Sequence, residues 1–394
     1  MKYFFILGTN PTLSLAELAA VFSHGQFSLV QKNIAILDIN HEIKANIIKK
    51  IGGTIKFGLI HNETASLATQ NILKSVATFS KPEKSEAKFN FGISFYGKAK
   101  INLKALAMEF KKLLKESGMN SRWVISREPT LSSVVVEQNK LASDRGVEIV
   151  IIEFNKKLFL GRTLAVQPFK ELSFRDYGRP ARDDRSGMLP PKLAQIMINL
   201  SGAKLEDTIL DPFCGSGTII TEAMLMGYEQ IIGSDISDRA ISDTKKNIEW
   251  IKNNFKLRVA NCELRELDAT KISKQFAPNS IDAIITEPYL GPQRGGFEIA
   301  KIVKELEQLY AKSLTEFKKI LKPSGRIVMV WPSFSEKQRS IFVNPDFSGY
   351  KIINPIPVNL QKNIFLNLTA RETMVYGREE QKVWREIVIL KKNN

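Results

Sequence analysis

Three carboxylates in the second half of the chain stand where apolar runs give way to loops: Asp211, Asp235 and Glu287. Asp211 lies within Thr208-Ile-Leu-Asp-Pro-Phe-Cys-Gly-Ser-Gly-Thr-Ile-Ile-Thr-Glu-Ala, which reads as a strand, a glycine turn and a helix. Gly215 and Gly217 let the backbone approach a ligand closely. A dinucleotide-binding turn asks for a third glycine where this chain has Ile220. A carboxylate at Asp211 would also repel a pyrophosphate while attracting a cation. Asp235 follows Gly217 by 18 residues, a spacing at which an acid ending the next strand accepts hydrogen bonds from ribose hydroxyls. That acid suits either kind of adenosine-containing ligand. Asp268, in Glu-Leu-Asp-Ala-Thr, could accept from an adenine amino group or cap the helix that follows.

The run Ile284-Ile-Thr-Glu-Pro-Tyr-Leu-Gly-Pro292 reads as a buried strand ending in an acid, a proline and an aromatic. Ligands of open α/β sheets sit beyond the carboxyl ends of the strands, so this loop is expected to share a crevice with the Asp211 turn. The charge pattern favours S-adenosyl-L-methionine, whose amino acid moiety is cationic, over a nicotinamide dinucleotide. An exocyclic base amine is a poor nucleophile because its lone pair is delocalised into the ring. The Glu287 carboxylate and the Pro288 carbonyl are therefore expected to accept its two hydrogens and aim the nitrogen. Tyr289 or Phe297 would hold a base lifted from its stack, with Gln293-Arg294-Gly295-Gly296 as a lip. Neither Cys214 nor Cys262 lies on this loop, which argues against methylation at a pyrimidine carbon through a cysteine nucleophile.

The elements that must position these residues follow from periodicity. Strands are expected at Thr208 to Leu210, Gln230 to Ser234, Ile281 to Thr286 and Arg326 to Trp331, with helices between them, which implies a parallel doubly wound sheet. Pro190-Pro191 opens a helix carrying Leu193, Ile196, Met197 and Leu200 on one face, and Ser201-Gly202 ends it. Lys322-Pro-Ser-Gly325 reads as a tight turn, and Thr373 to Tyr376 with Val383 to Leu390 as a closing antiparallel hairpin. Upstream, a strand at Tyr3 to Leu7 precedes a capping box, Ser14-Leu-Ala-Glu17, opening a helix. A strand near Phe91 to Tyr96 precedes a helix with Leu103, Leu106, Phe110 and Leu113 on one face, and strands at Val147 to Phe154 and Leu158 to Leu164 follow. The segment 167–185 is rich in turn formers and reads as a linker. Its Arg175, Arg179, Arg182 and Arg185, with Phe174 and Tyr177, could hold phosphates and stack on bases, or could simply be a solvated hinge.

A chain of 394 residues has room for two or three domains. Its formal charge of +16 exceeds what solubility needs and suits a polyanion, although a lysine-rich surface of no special role reads the same way. Two cysteines, neither in a Cys-x-x-Cys pair, provide no disulfide framework or metal cluster and suggest a reducing cytoplasm. The apolar run after Met1 is too short for a signal peptide, and no stretch approaches the roughly 20 apolar residues of a membrane span.

Asp-Pro-Phe-Cys-Gly-Ser-Gly resembles the donor-binding motif of the amino-methyltransferases, and Glu287-Pro-Tyr-Leu-Gly291 resembles their Asp-Pro-Pro-Tyr-Gly loop. Here Glu replaces Asp, and Leu290 stands where the family has its tyrosine, one place after Tyr289. Arg179-Pro180, Ser186-Gly-Met-Leu-Pro-Pro-Lys-Leu-Ala194 and Tyr376-Gly-Arg-Glu-Glu-Gln-Lys-Val-Trp-Arg-Glu-Ile387 resemble tRNA guanosine-N2 methyltransferases of the position-ten type. The resemblance implies a Rossmann-like class I methyltransferase domain over 186–394, with a mostly parallel seven-stranded sheet, after the linker. It implies an N-terminal ferredoxin-like domain over 1–80 and a THUMP-like RNA-binding domain over 81–166. Asp211, Phe213, Gly215, Gly217, Thr218, Asp235, Ile236 and Asp268 would hold the donor, Glu287, Pro288 and Tyr289 would act on the base, and the linker arginines with Arg294 would contact tRNA or another structured RNA. Ribosomal RNA guanine-N2 methylation, adenine-N6 methylation of DNA or RNA, and a catalytically silent RNA-binding protein are neighbouring readings.

Overall fold

The computed structural model describes residues 1–80, 88–182, 188–255, 257, 261–292, 298–336, 339–378 and 381–393. Two compact units are found: Met1–Pro11 with His24–Lys49 and Thr54–Pro168, and Thr12–Ser23 with Lys50–Gly53 and Phe169–Asn394.

The first unit is a mixed sheet of β1 (Lys2–Leu7), β2 (Gln26–Gln31), β3 (Ile34–Asp38), β4 (Thr54–Thr64), β5 (Phe89–Tyr96), β6 (Ser121–Val124), β7 (Ala142–Ser143), β8 (Gly146–Phe154) and β9 (Lys157–Val166). Their order is β2-β3-β1-β4-β9-β8-β5-β6, with the short β7 beside β8. The sheet runs unbroken through 1–80 and 88–166, because β4 and β9 are antiparallel neighbours. The helices in this part of the chain are α1 (Pro11–Val21), α2 (Thr69–Ser80), α3 (Leu103–Glu116) and α4 (Ser133–Gln138). Strand alternation gives the sheet two apolar faces. One buries Phe91, Ile151 and Leu160 with Ile72 and Val76 of α2 and Leu106 and Phe110 of α3. The other buries Phe4, Ile36 and Ile152. The expected capping box at Ser14 is not formed. α1 already starts at Pro11, whose missing N–H suits a first turn, so Ser14 is in its interior. Glu17 instead accepts from the backbone N–H groups of Gly52 and Gly53 at 2.8 and 2.7 Å.

The second unit is built on a sheet in the order β12-β11-β10-β13-β14-β18-β16, with β15 on β14 and β17 on β18. These strands are β10 (Thr208–Asp211), β11 (Gln230–Asp235), β12 (Asn261–Glu266), β13 (Ile281–Thr286), β14 (Leu321–Glu336), β15 (Arg339–Phe342), β16 (Tyr350–Ile352), β17 (Met374–Tyr376) and β18 (Val383–Lys392). β10 to β14 are parallel, and β18 is antiparallel to β14, β16 and β17. The expected strands and hairpin are present, with the seven-stranded path widened by two short strands. The unit's helices include α5 (Phe169–Tyr177), α6 (Pro191–Ser201), α7 (Thr218–Met226), α8 (Asp238–Phe255) and α9 (Ile299–Ile320). α6 starts with proline in its first turn and ends at Gly202 with φ of 67°. β10 leads through α7 to β11 on one side and pairs with β13 on the other, which makes its carboxyl end the switch point where such sheets bind ligands.

Two further expectations need correction, and one strand was missed. The segment read as a linker contains α5, which buries Leu172 and Arg175 on one face. Lys322 to Gly325 is part of β14 rather than a turn before it: Ile281 pairs with Leu321 and Ala283 with Arg326, so the extra residues form an irregularity in one strand. β12 was not anticipated, because Asn-Cys-Glu-Leu-Arg-Glu at the sheet edge has no apolar run. No described helix is long and apolar enough to cross a membrane.

Candidate active site

Beyond the carboxyl ends of β10, β11 and β13 lies a cavity of about 430 Å³. Asp211, Asp235 and Glu287 all line it, together with Phe213, Gly215, Thr218, Ile236, Asp268, Pro288 and Tyr289. Gly217 lies just behind, as the residue before α7 with φ of 82°. A Cβ there would meet the Thr244 methyl at 2.7 Å, so only glycine fits both the backbone and the space. The turn is pinned from α8. Thr244 Oγ1 donates to the Gly215 carbonyl at 2.8 Å, and Asn247 Nδ2 to the Ser216 carbonyl at 2.8 Å. Sequence reasoning missed both residues, whose only signal was a polar side chain on the inner face of an amphipathic helix. Ile220 buries its side chain against Gly233 of β11, so the close helix-to-strand approach that a third turn glycine would serve is made by a strand glycine.

Asp211 is buried and accepts from Thr286 Oγ1 at 2.7 Å and the Phe213 N–H at 3.2 Å. Burial pushes its carboxyl up to about 7 against those two hydrogen bonds, and the Asp235 and Glu287 charges push the same way. Asp235 accepts from the Gly215 and Ser237 N–H groups, each at 3.0 Å, which bridges the two loops. The next side chain, Ile236, is 69% exposed and offers an apolar face at the cavity. Asp268 both lines the cavity and caps a helical turn, accepting from the Thr270 N–H at 2.9 Å and hydroxyl at 2.7 Å. Those hydrogen bonds hold its carboxyl below the ordinary carboxylate range.

In the third loop, Pro288 and Leu290 are buried while Tyr289 is 56% exposed at the cavity rim. The Tyr289 carbonyl accepts from the Tyr310 hydroxyl at 2.6 Å, which fixes the loop backbone from α9. Glu287 receives Arg385 of β18, with Nε donating to Oε2 at 2.5 Å and Nη2 to Oε1 at 3.2 Å. This partner, too, was not foreseen, since 98 residues separate the two. Burial pushes the Cys214 thiol far above its ordinary range and the Cys262 thiol up to about 11, which disfavours the thiolate of each.

The arginines expected to touch RNA are not equivalent. Arg175 is buried, its Nε and Nη2 donating to Glu222 at 2.6 and 3.0 Å. Arg179 is buried as well and donates to the Arg175 carbonyl at 2.9 Å and Thr218 Oγ1 at 2.6 Å. Neither is available to a phosphate, because each guanidinium anchors α5 or its exit to α7. Arg182 is exposed and lies over the Tyr177 ring at 5.6 Å. Arg185, Arg294, Phe297 and the segment 293–296 lie outside the described residues.

Residues 179–341 match the family described as UPF0020, RMKL-like, methyltransferase domain. The chain is 30% identical over 218 residues to a tRNA (guanine(10)-N2)-dimethyltransferase of Methanothermobacter thermautotrophicus, covering 54% of this chain and 60% of that one. It is 27% identical over 139 residues to the Bos taurus U6 snRNA (guanine-N(2))-methyltransferase THUMPD2, covering 35% of this chain and 24% of that one. The stretches matched in the archaeal tRNA (guanine(10)-N2)-dimethyltransferases span 51 to 62% of those proteins. Among solved structures, TrmN from Thermus thermophilus aligns over 100% of both chains with a TM-score of 0.54 at 16% identity, a likeness of fold. Motif, sheet order and matched residues agree: residues 179–341 match a methyltransferase domain, and the chain is similar over part of its length to tRNA guanine-N2 methyltransferases.

Proposed function

We propose that this protein is an S-adenosyl-L-methionine-dependent RNA methyltransferase of the cytoplasm that modifies an exocyclic base amine, N2 of a guanosine in tRNA. The observation that carries this reading is the convergence of Asp211, Asp235 and Glu287 on one cavity at the switch point of the sheet. The chemistry of the cavity fits the donor. A buried, costly carboxylate at Asp211 gains most from a cationic partner, Asp235 lines the same cavity as an acceptor for hydroxyl groups, and Ile236 offers an apolar surface to a purine. When bound, the donor would be held by Asp211, Asp235 and Ile236 and would supply a methyl group on a cationic sulfur, for which the amine exchanges a proton.

The residues of the chain supply orientation and electrostatics. Glu287 and the Pro288 carbonyl accept the two hydrogens of the amine, which localises its lone pair and points it at the methyl carbon. Tyr289, exposed at the rim, supplies a stacking face for the base. The choice of tRNA and of guanine N2 is supported by the activities named for the similar archaeal proteins, and the choice of an RNA by the charge of +16.

The test is incubation of the whole chain with labelled donor and, separately, tRNA, ribosomal RNA and DNA, followed by nucleoside analysis. Label in N2-methylated guanosine of tRNA is expected. Label in adenine, or donor binding with no transfer to any polymer, would overturn the assignment. Glu287→Gln is expected to lower kcat by about a hundredfold or more while leaving donor affinity within roughly threefold.

A further inference from the structure

Glu287 reaches the cavity with both carboxylate oxygens already engaged by one guanidinium. Arg385 Nε and Nη2 form a two-pronged contact at 2.5 and 3.2 Å, the fork geometry that matches a carboxylate edge. Arg385 is only 8% exposed, so the pair is shielded from water and screens poorly. Its direction is set by the strand. Glu386, the next residue of β18, faces the opposite side and is taken up by Arg371 and by the Thr373 hydroxyl. Arg385 also points Nη2 at the Met188 carbonyl at 3.5 Å, next to residues of the cavity wall. Each carboxylate oxygen accepts two hydrogen bonds, so an arginine on one edge of Glu287 leaves acceptor capacity for a substrate on the other.

We propose that Arg385 is a positioning residue for methyl transfer, a role that rests on the function proposed above. A glutamate has one more torsion than the aspartate usual in this loop, and its carboxylate would otherwise sample several directions. The guanidinium removes that freedom and holds the carboxylate as an acceptor facing the cavity. It also balances one of three acids gathered there, so that Asp211 and Asp235 attract the cationic donor without Glu287 adding an unopposed third charge. The proton leaving the methylated nitrogen passes to water. The juxtaposition of a lengthened acid and a buried fork behind it is what suits this loop to hold an amine.

The test compares Arg385→Gln, Arg385→Lys, Glu287→Gln and the double variant Glu287→Gln with Arg385→Gln, using methyl transfer to tRNA and calorimetric binding of S-adenosyl-L-homocysteine. Arg385→Gln is expected to lower kcat by about a hundredfold with KM for tRNA and affinity for S-adenosyl-L-homocysteine changed less than roughly threefold. Arg385→Lys, which keeps the charge but loses the fork, is expected to recover about tenfold of that loss. The double variant is expected to be no slower than Glu287→Gln alone, as for two residues acting as one unit. Should Arg385→Gln fail to fold, the lysine variant decides: kcat about tenfold below wild type with product affinity intact supports the role. Wild-type kcat in either Arg385 variant, parallel losses of kcat and product affinity, or additive losses in the double variant would overturn it while leaving the function standing. A wild-type chain that binds the product analogue yet methylates no nucleic acid overturns both.

Discussion

At the scale of the residue, Asp211 shows how a site can be tuned before its ligand arrives. Its carboxyl is raised to about 7 chiefly by burial, so without a ligand it ionises as pH rises through that value. The sign follows from linkage: the stability it contributes is fully present below the ordinary carboxylate range and is lost as pH rises through about 7. Binding a cation reverses the preference, because the ligand selects the ionised acid. Donor affinity is expected to weaken by roughly tenfold from about pH 8 to about pH 6, measured by calorimetry, and Asp211→Asn is expected to abolish that dependence along with most of the affinity. An affinity flat across this range would show that Asp211 does not face the cationic end of the donor. The three site acids were legible in the sequence because each ends an apolar run beside a turn former. Their partners were not: Thr286, Thr244, Asn247 and Arg385 act through contacts between elements distant in the chain, and nothing in their local spacing distinguishes them from surface polar residues.

At the scale of the element, α5 and its exit change the meaning of two of four arginines that look alike in sequence, Arg175 and Arg179. Leu172, Arg175 and Arg179 fall at i, i+3 and i+7 and all are buried. That period was available to the eye, but a run of polar and aromatic residues between two folded halves reads more readily as a hinge. The partner that makes burial of a charge tolerable, Glu222 on α7, lies 47 residues away. Gln195 of α6 donates to the same carboxylate at 2.9 Å, so one buried acid ties three helices together. Removing one member of such a pair leaves the other charged and unsolvated. Arg175→Ala is expected to lower stability by about 3 kcal/mol, seen as a reduced denaturant midpoint at unchanged slope. Any loss of RNA affinity should then follow the unfolded fraction; a folded Arg175→Ala protein with selectively weakened RNA binding would restore this arginine to the interface.

At the scale of the molecule, the doubly wound order of the C-terminal half was predictable from alternating strands and helices, whereas the allegiance of two N-terminal segments was not. Thr12–Ser23 and Lys50–Gly53 belong to the same compact unit as the candidate active site. Glu17 gathers them: besides Gly52 and Gly53, it accepts from Asn199 Nδ2 of α6 at 2.8 Å. Gly52 lies so close to α6 that a Cβ would stand 2.0 Å from the Lys192 carbonyl oxygen. Gly52→Ala should therefore destabilise the protein by roughly 1–3 kcal/mol, as overpacking does, and a thermal midpoint equal to wild type would contradict this contact. The sheet of this unit also dictates an order of assembly. Among the described residues β16 finds its strand partner in β18 alone, and β18 inserts between β16 and the earlier β14. Because β18 is the last described strand of the chain and β16, among these residues, pairs only with it, this flank of the sheet should zip up late in refolding. The Glu287 carboxylate must then await its guanidinium until the rest of the cavity-facing scaffold has already condensed.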